Sequence, residues 1–276
     1  MMRSLWTAAS GMRAQQVNVD TIANNVANIN TVGYKTQQAS FKSLLYQNLQ
    51  STSTNNAGEN KPVAAEVGLG SRVAAITGTF TQGNLTHVEN PFSVALEGDG
   101  FFQIRTESGE LQYTRDGSFE ISPVTNGNML CTSDGNPVLD AYGNEIILPS
   151  NRVATDLVVN QDGTLAFPDG TGNPAVITDA NGRPVKFGIY QFNNPAGLSK
   201  EGSNNYSVTA ASGAAVAENG NAAVKQTKTH QYYTEASNVD VANEMVNLIV
   251  AQRAYEMNSK AIQASDEMMQ QANNLR

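Results

Sequence analysis

Apolar residues recur every seven positions near both ends of the chain. At the N-terminal end, Leu5, Met12, Val19 and Val26 form one row. Ala8, Gln15, Ile22 and Ile29 form its companion, three residues on. This is an a/d heptad pattern with one polar intruder, Gln15. It predicts a helix over Ser4 to Asn30, about 40 Å long at 1.5 Å per residue. Gly33 follows as a left-handed stop.

At the C-terminal end Val241, Leu248, Tyr255, Ile262 and Met269 are also seven apart. Ser237 and Asp240 resemble a capping box, which predicts the helix start there. Asp240 and Glu244 suit the positive end of its dipole, and Glu256 and Lys260 form an i,i+4 pair. A second apolar row (Val246, Val250, Met257, Ala261, Ala264 and Met268) lies on another side. A helix that is apolar on two sides needs two neighbours.

Between the helices the pattern changes to short strand-like runs, FSVALE, FFQIR, MLCT, EIILP, TLAF, AVIT and VKFGIYQF. Turns punctuate them at Asp99-Gly100, Ser108-Gly109, Asp116-Gly117, Asn126-Gly127, Asp134-Gly135 and Gly143-Asn144, then at Asp162-Gly163, Asp169-Gly170 and Asn181-Gly182. That spacing predicts successive hairpins in a sandwich or irregular barrel. Ser51 to Lys61 reads as a flexible polar loop, and Ala210 to Ala223 as irregular.

Composition narrows the function. The 276 residues are 40% hydrophobic but only 15% charged, with a formal net charge of -8. Amides and hydroxyls therefore carry most of the polar surface. The negative balance and the lack of a basic stripe argue against nucleic acid as a partner. No apolar run reaches the roughly 20 residues of a membrane span, so no membrane insertion is expected. MMRSLWTAASGM lacks a signal-peptide core, which fits either the cytoplasm or export without a cleaved signal. Cys131 is the single cysteine and reads as a small buried side chain. With His87 and His230 the only histidines, zinc-site spacing is absent.

No motif carries catalysis. Gly68-Leu69-Gly70 is not followed by Lys-Ser/Thr. Asp116 and Glu120 have the residue types of a glycosidase pair, but Asp116 falls in a hairpin turn, where aspartate serves the backbone. Gln161-Asp162-Gly163 does not continue as a calcium loop. Met268-Met269 suits helix packing better than a soft metal. No catalytic residue, cofactor or metal site is expected.

ANNVANINTVGYK (Ala23 to Lys35) resembles the N-terminal signature of the bacterial flagellar rod and hook proteins. SNVDVANEMVNLIVAQRAYEMNSKAIQASDEMM (Ser237 to Met269) resembles their C-terminal signature, and TQGNLTHVENPFSVALEGDGFFQI and YTRDGSF resemble their strand-rich domain. Within the family, the chain's length and its polar stretch Ser51 to Val67 are most similar to distal rod subunits. Hook or proximal rod subunits are the alternative.

The resemblance implies an α+β fold, with paired N- and C-terminal coiled-coil helices flanking an inserted, mostly antiparallel β domain. It divides the chain into residues 1–33 and 237–276 as an inner-tube domain, 34–80 and 206–236 as a linking region, and 81–205 as a β-rich outer domain. It further implies a structural subunit that polymerises with itself into a hollow, torque-transmitting shaft. Other rod and hook proteins, and surrounding ring proteins, are its expected partners. Its location would be the extracytoplasmic basal body, reached without a cleaved signal. A secreted β-fold enzyme acting on cell walls and an adhesin-like fibre are the readings from other classes.

The assembly surface is then expected at Leu5, Met12, Val19, Ile22, Asn24, Asn25, Val26, Asn28, Ile29, Val241, Met245, Leu248, Val250, Tyr255, Met257, Ile262 and Met269. The asparagines fit this reading. Uncharged amides donate and accept inside a packed tube without the desolvation cost of a buried ion. Asparagine is also a mediocre helix former, so the termini are expected to become helical on assembly.

Overall fold

The computed structural model describes residues 2–50, 65–125, 127–150, 152–168, 174–179, 182–221 and 224–274. The loop expected at Ser51 to Lys61 lies outside them, as do Asn126, Asp169, Gly170 and Asn181 of the expected turns. N- and C-terminal helices bracket a mostly antiparallel β region, and the chain divides into two compact units. The first holds residues 1–27, 37–78 and 240–276, and the second holds 28–36 and 79–239.

In the first unit, helix α1 spans Met2–Ala27 and helix α2 spans Val241–Asn274. Helix α1 stops short of the expected Asn30. The residues that follow form a turn, and Gly33, in the second unit, adopts the left-handed φ of 68°. The start of α2 corrects the expected capping box. Asp240 itself is the cap, its Oδ1 accepting from Ala242 N at 3.0 Å and Asn243 N at 3.4 Å. Glu256 takes its cation three residues back, from Arg253 at 2.9 Å, rather than from Lys260.

Strand Gln37–Ser43 pairs antiparallel with Ser71–Gly78, with a bulge between Ser40 and Phe41. Strand Tyr46–Gln50 pairs antiparallel with Ala65–Gly68. Among the described residues, no helix is long and apolar enough to cross a membrane.

The second unit is built on a six-stranded antiparallel sheet. Its order is Ser199–Gly202, Asn205–Ser207, Leu111–Thr114, Phe101–Arg105, Ile189–Gln191 and Val216–Ala217. The last strand falls in the stretch expected to be irregular, and VKFGIYQF contributes a strand only over Ile189–Gln191. FFQIR is buried on both faces. Phe102 and Ile104 join the larger core with Val94, Phe119, Leu130 and Phe187, while Phe101 joins a smaller one with Tyr113, Phe192 and Tyr206. Phe102 meets Phe119 edge to face at 5.0 Å.

Gly109, Gly135 and Gly143 have the positive φ that tight turns require. Gly100 and Gly117 do not, and they serve close approach instead. A Cβ would collide with Ile189 at the first and with the Val94 carbonyl at the second.

Candidate assembly interface

The first unit shows how the two terminal helices use their faces. Ser4 Oγ lies 3.2 Å from Ser265 Oγ. The Asn258 amide covers Gly11, where an added Cβ would stand 3.0 Å from Nδ2. Asn25 Nδ2 donates to Glu244 Oε2 at 3.4 Å. Each step forward along α1, from Ser4 to Gly11 to Asn25, is matched by an equal step back along α2. The helices are therefore antiparallel in one register, and the steps are whole heptads.

The buried residues of α2 are Glu244, Ala251 and Ser265. With Asn258 they form a single row at seven-residue spacing, facing the small or amide residues Ser4, Gly11 and Asn25. The apolar-row search missed this seam because none of its α2 residues is a large hydrophobe. The available signal was the heptad recurrence of small and amide residues on both helices. Such residues permit close backbone approach, and even a methyl group at position 11 would press on the Asn258 amide.

The expected apolar rows fall around this seam. Ile22 is buried, and Leu5, Met12, Val19, Val26, Leu248, Ile262 and Met269 are half-buried. Val241, Met245, Val250, Tyr255 and Met257 are exposed in the single chain. So are Val246, Ile249 and Met268. Val19 and Tyr255 line an open cleft of about 420 Å³ with Gln16, Gln252 and Glu256. The apolar faces of α2 thus separate: Leu248, Ile262 and Met269 turn toward the seam, and Val246, Val250 and Met257 stand in solvent. On α1, Trp6 is 74% exposed at the rim of a groove of about 470 Å³ shared with Arg13, Leu44, Arg72 and Val73.

The asparagines divide as well. Asn25 is 1% exposed and clips the strand that follows. Its Nδ2 donates to Gln37 O at 2.8 Å, and its Oδ1 accepts from Gln37 N at 2.9 Å. Asn24 is on the exposed side of α1. Asn28 and Ile29 lie beyond the helix in the second unit, where Asn28 Oδ1 accepts from Thr31 Oγ1 at 3.1 Å. Sequence reasoning placed all three amides on the helix; Asn24 and Asn25 lie there, and Asn28 lies just beyond its end.

The residues considered for chemistry serve the backbone. Asp116 Oδ1 accepts from Ser118 N at 2.9 Å, and burial raises its carboxyl above the ordinary range. Asp162 Oδ1 accepts from Thr164 N and Oγ1 within its turn. Cys131 is buried, and burial pushes its thiol up. Among the described residues, no three His, Cys, Asp or Glu gather as metal ligands.

Three stretches match flagellar family profiles. Residues 5–35 match "Flagella basal body rod protein", 95–167 match "Flagellar hook protein FlgE/F/G D1 domain", and 230–275 match "Flagellar basal body rod FlgEFG protein C-terminal". The chain is 43% identical to the flagellar basal-body rod protein FlgG of Borreliella burgdorferi, over 100% of this chain and 99% of that one. It is 38% identical to FlgG of Caulobacter vibrioides and 35% identical to FlgG of Bacillus subtilis, each over the full length of both chains.

Proposed function

The chain belongs to the flagellar basal-body rod family, and on that premise we propose how it acts. It is a structural subunit of the distal rod of the bacterial flagellum. In this reading many copies assemble head to tail, because heterologous contacts that do not close on themselves generate helical filaments. The product is a hollow shaft that transmits torque and lets later subunits pass. Other flagellar rod and hook proteins are its neighbours at either end, and surrounding ring proteins are its lateral partners. No catalytic step is involved. The subunit acts outside the cytoplasm.

The carrying observation is the uncovered apolar side of α2, from Met245 through Met268. Monomeric proteins seldom leave such a stripe in water. In the assembled shaft α1 and α2 form an antiparallel coiled coil around the polar seam, and the outer stripe docks on neighbouring copies. Met245, Val250 and Met257 are the intersubunit residues, while Ile22, Leu248 and Ile262 hold the pair together. The asparagine-rich termini gain their full helical protection only in the polymer.

Electron microscopy of the purified protein under polymerising conditions tests this reading. Straight hollow rods are expected; curved tubes would favour a hook subunit, and a chain that stays monomeric at high concentration would refute it. Hydrogen exchange of α1 and α2 should slow on assembly. Full protection already present in the monomer would overturn the coupled folding.

A further inference from the structure

One residue or more from each flagellar signature meets in a single polar cluster of the second unit, buried at its charged centre. Lys35 ends the first signature, Thr81 and Gly83 open the second, Arg115 lies in YTRDGSF, and Asn238 belongs to the last. Glu235 joins them. The side chains of Lys35, Arg115 and Glu235 are at most 1% exposed.

Lys35 Nζ donates to Glu235 Oε1 at 2.6 Å and to Thr81 O at 2.8 Å. The same Oε1 accepts from Gly83 N at 2.8 Å. Arg115 Nη1 lies 3.5 Å from Glu235 Oε2, with its guanidinium 4.9 Å from the Phe101 ring centre. Gly33 N donates to Glu235 O at 2.8 Å. Asn238 Oδ1 accepts from Thr36 N at 2.8 Å and Thr36 Oγ1 at 2.7 Å, and its Nδ2 donates to Thr79 O at 2.9 Å and Thr81 O at 3.1 Å.

Three segments, 31–36, 79–84 and 235–239, are thus joined by polar bonds across about 200 positions of chain. Of the cluster, Phe80 packs against the smaller hydrophobic core and Arg115 stacks on its Phe101, whereas none of these residues belongs to the larger core. Two buried cations share one carboxylate, and the cations disfavour each other. Without Glu235 both charges would lose the carboxylate that touches them in a dry site, and only the more distant Asp99 would still favour them, so a half-closed state is costly.

We propose that this cluster is a latch. It opens and closes as one cooperative unit, independently of the larger hydrophobic core. It closes only when the chain as far as Asn238 is in place. The C-terminal signature is therefore the piece that completes the second unit, and the N-terminal signature is its receptor.

Native-state hydrogen exchange on the full chain tests the latch. In low denaturant the amides of Gly33, Thr36, Thr79 and Gly83 should share one opening equilibrium. It should be more populated than that of Gln103 and Leu130 in the sheets. In Glu235→Gln the four should lose protection together, by about tenfold or more, with Gln103 and Leu130 unchanged. The neutral Asn238→Ala, a milder change, should release the same four. If Glu235→Gln frees Gly33 and Gly83 but leaves Thr36 and Thr79 protected, the contacts are separate and the latch is refuted. If the unmodified chain shows all six amides opening together, the cluster is merely part of the global fold and the proposal fails. Neither outcome bears on polymerisation, so the rod reading stands or falls separately.

Discussion

Replacing Val250 by aspartate separates the two apolar sides of α2. Val250 is 62% exposed in the single chain, so the substitution leaves the intrachain seam intact. Burying a valine completely is worth about 1.5–3 kcal/mol, and the part still exposed accounts for about 1 kcal/mol of docking. An aspartate there must either carry its charge into the contact or take up a proton. Protonating it at neutral pH means lifting its pKa by about three units, or about 4 kcal/mol. The total, about 5 kcal/mol, should raise the critical concentration for polymerisation by about a thousandfold or more. Val250→Ala, which loses only the apolar part, should raise it about fivefold. Sedimentation of polymer across a dilution series measures both. The monomer's helical circular dichroism and the melting of the second unit should be unchanged. Polymerisation of Val250→Asp at the unmodified protein's concentration would show that the outer stripe is not a contact surface. Leu248→Asp is the less informative change, because Leu248 is half-buried toward the seam and its loss disturbs the helix pair within the chain.

Three further outcomes follow from the geometry. Gly33→Ala should destabilise the second unit by at least about 2 kcal/mol in urea unfolding, combining the left-handed penalty with a Cβ held 2.9 Å from the backbone of Arg115 and Asp116. Asn25→Ala removes both partners of the Gln37 backbone; it should cost about 2 kcal/mol and expose the Gln37 amide to exchange. Burial raises the Tyr206 phenol above its ordinary 10.0, so above that pH the unfolded chain gives up a proton that the folded one keeps. Stability should therefore fall as pH rises past about 10, and Tyr206→Phe should show a shallower fall in urea midpoint across that window.

Much of the architecture was legible in the order of residues. Heptad recurrence marked both helices, and Asp240 stood where a cap was needed. Glycines at Gly109, Gly135 and Gly143 marked turns because only the left-handed conformation fits there. Those signals are local: each depends on a residue and its neighbours within one turn or one hairpin.

Tertiary contacts decided the rest. Periodicity showed that α2 is apolar on two sides but not which side its own α1 would cover. That choice fell to Ala251, Asn258 and Ser265, whose small or amide side chains let two backbones approach, and to Glu244, which accepts from Asn25. Gly100 and Gly117 looked like turn residues and proved to be gaps for passing chain. Nothing in the local sequence marks Lys35, Arg115 and Glu235 for burial, since charge is cheapest in water. Only the fold, by bringing together residues about 200 positions apart, made each the counterion that allows the others to be buried.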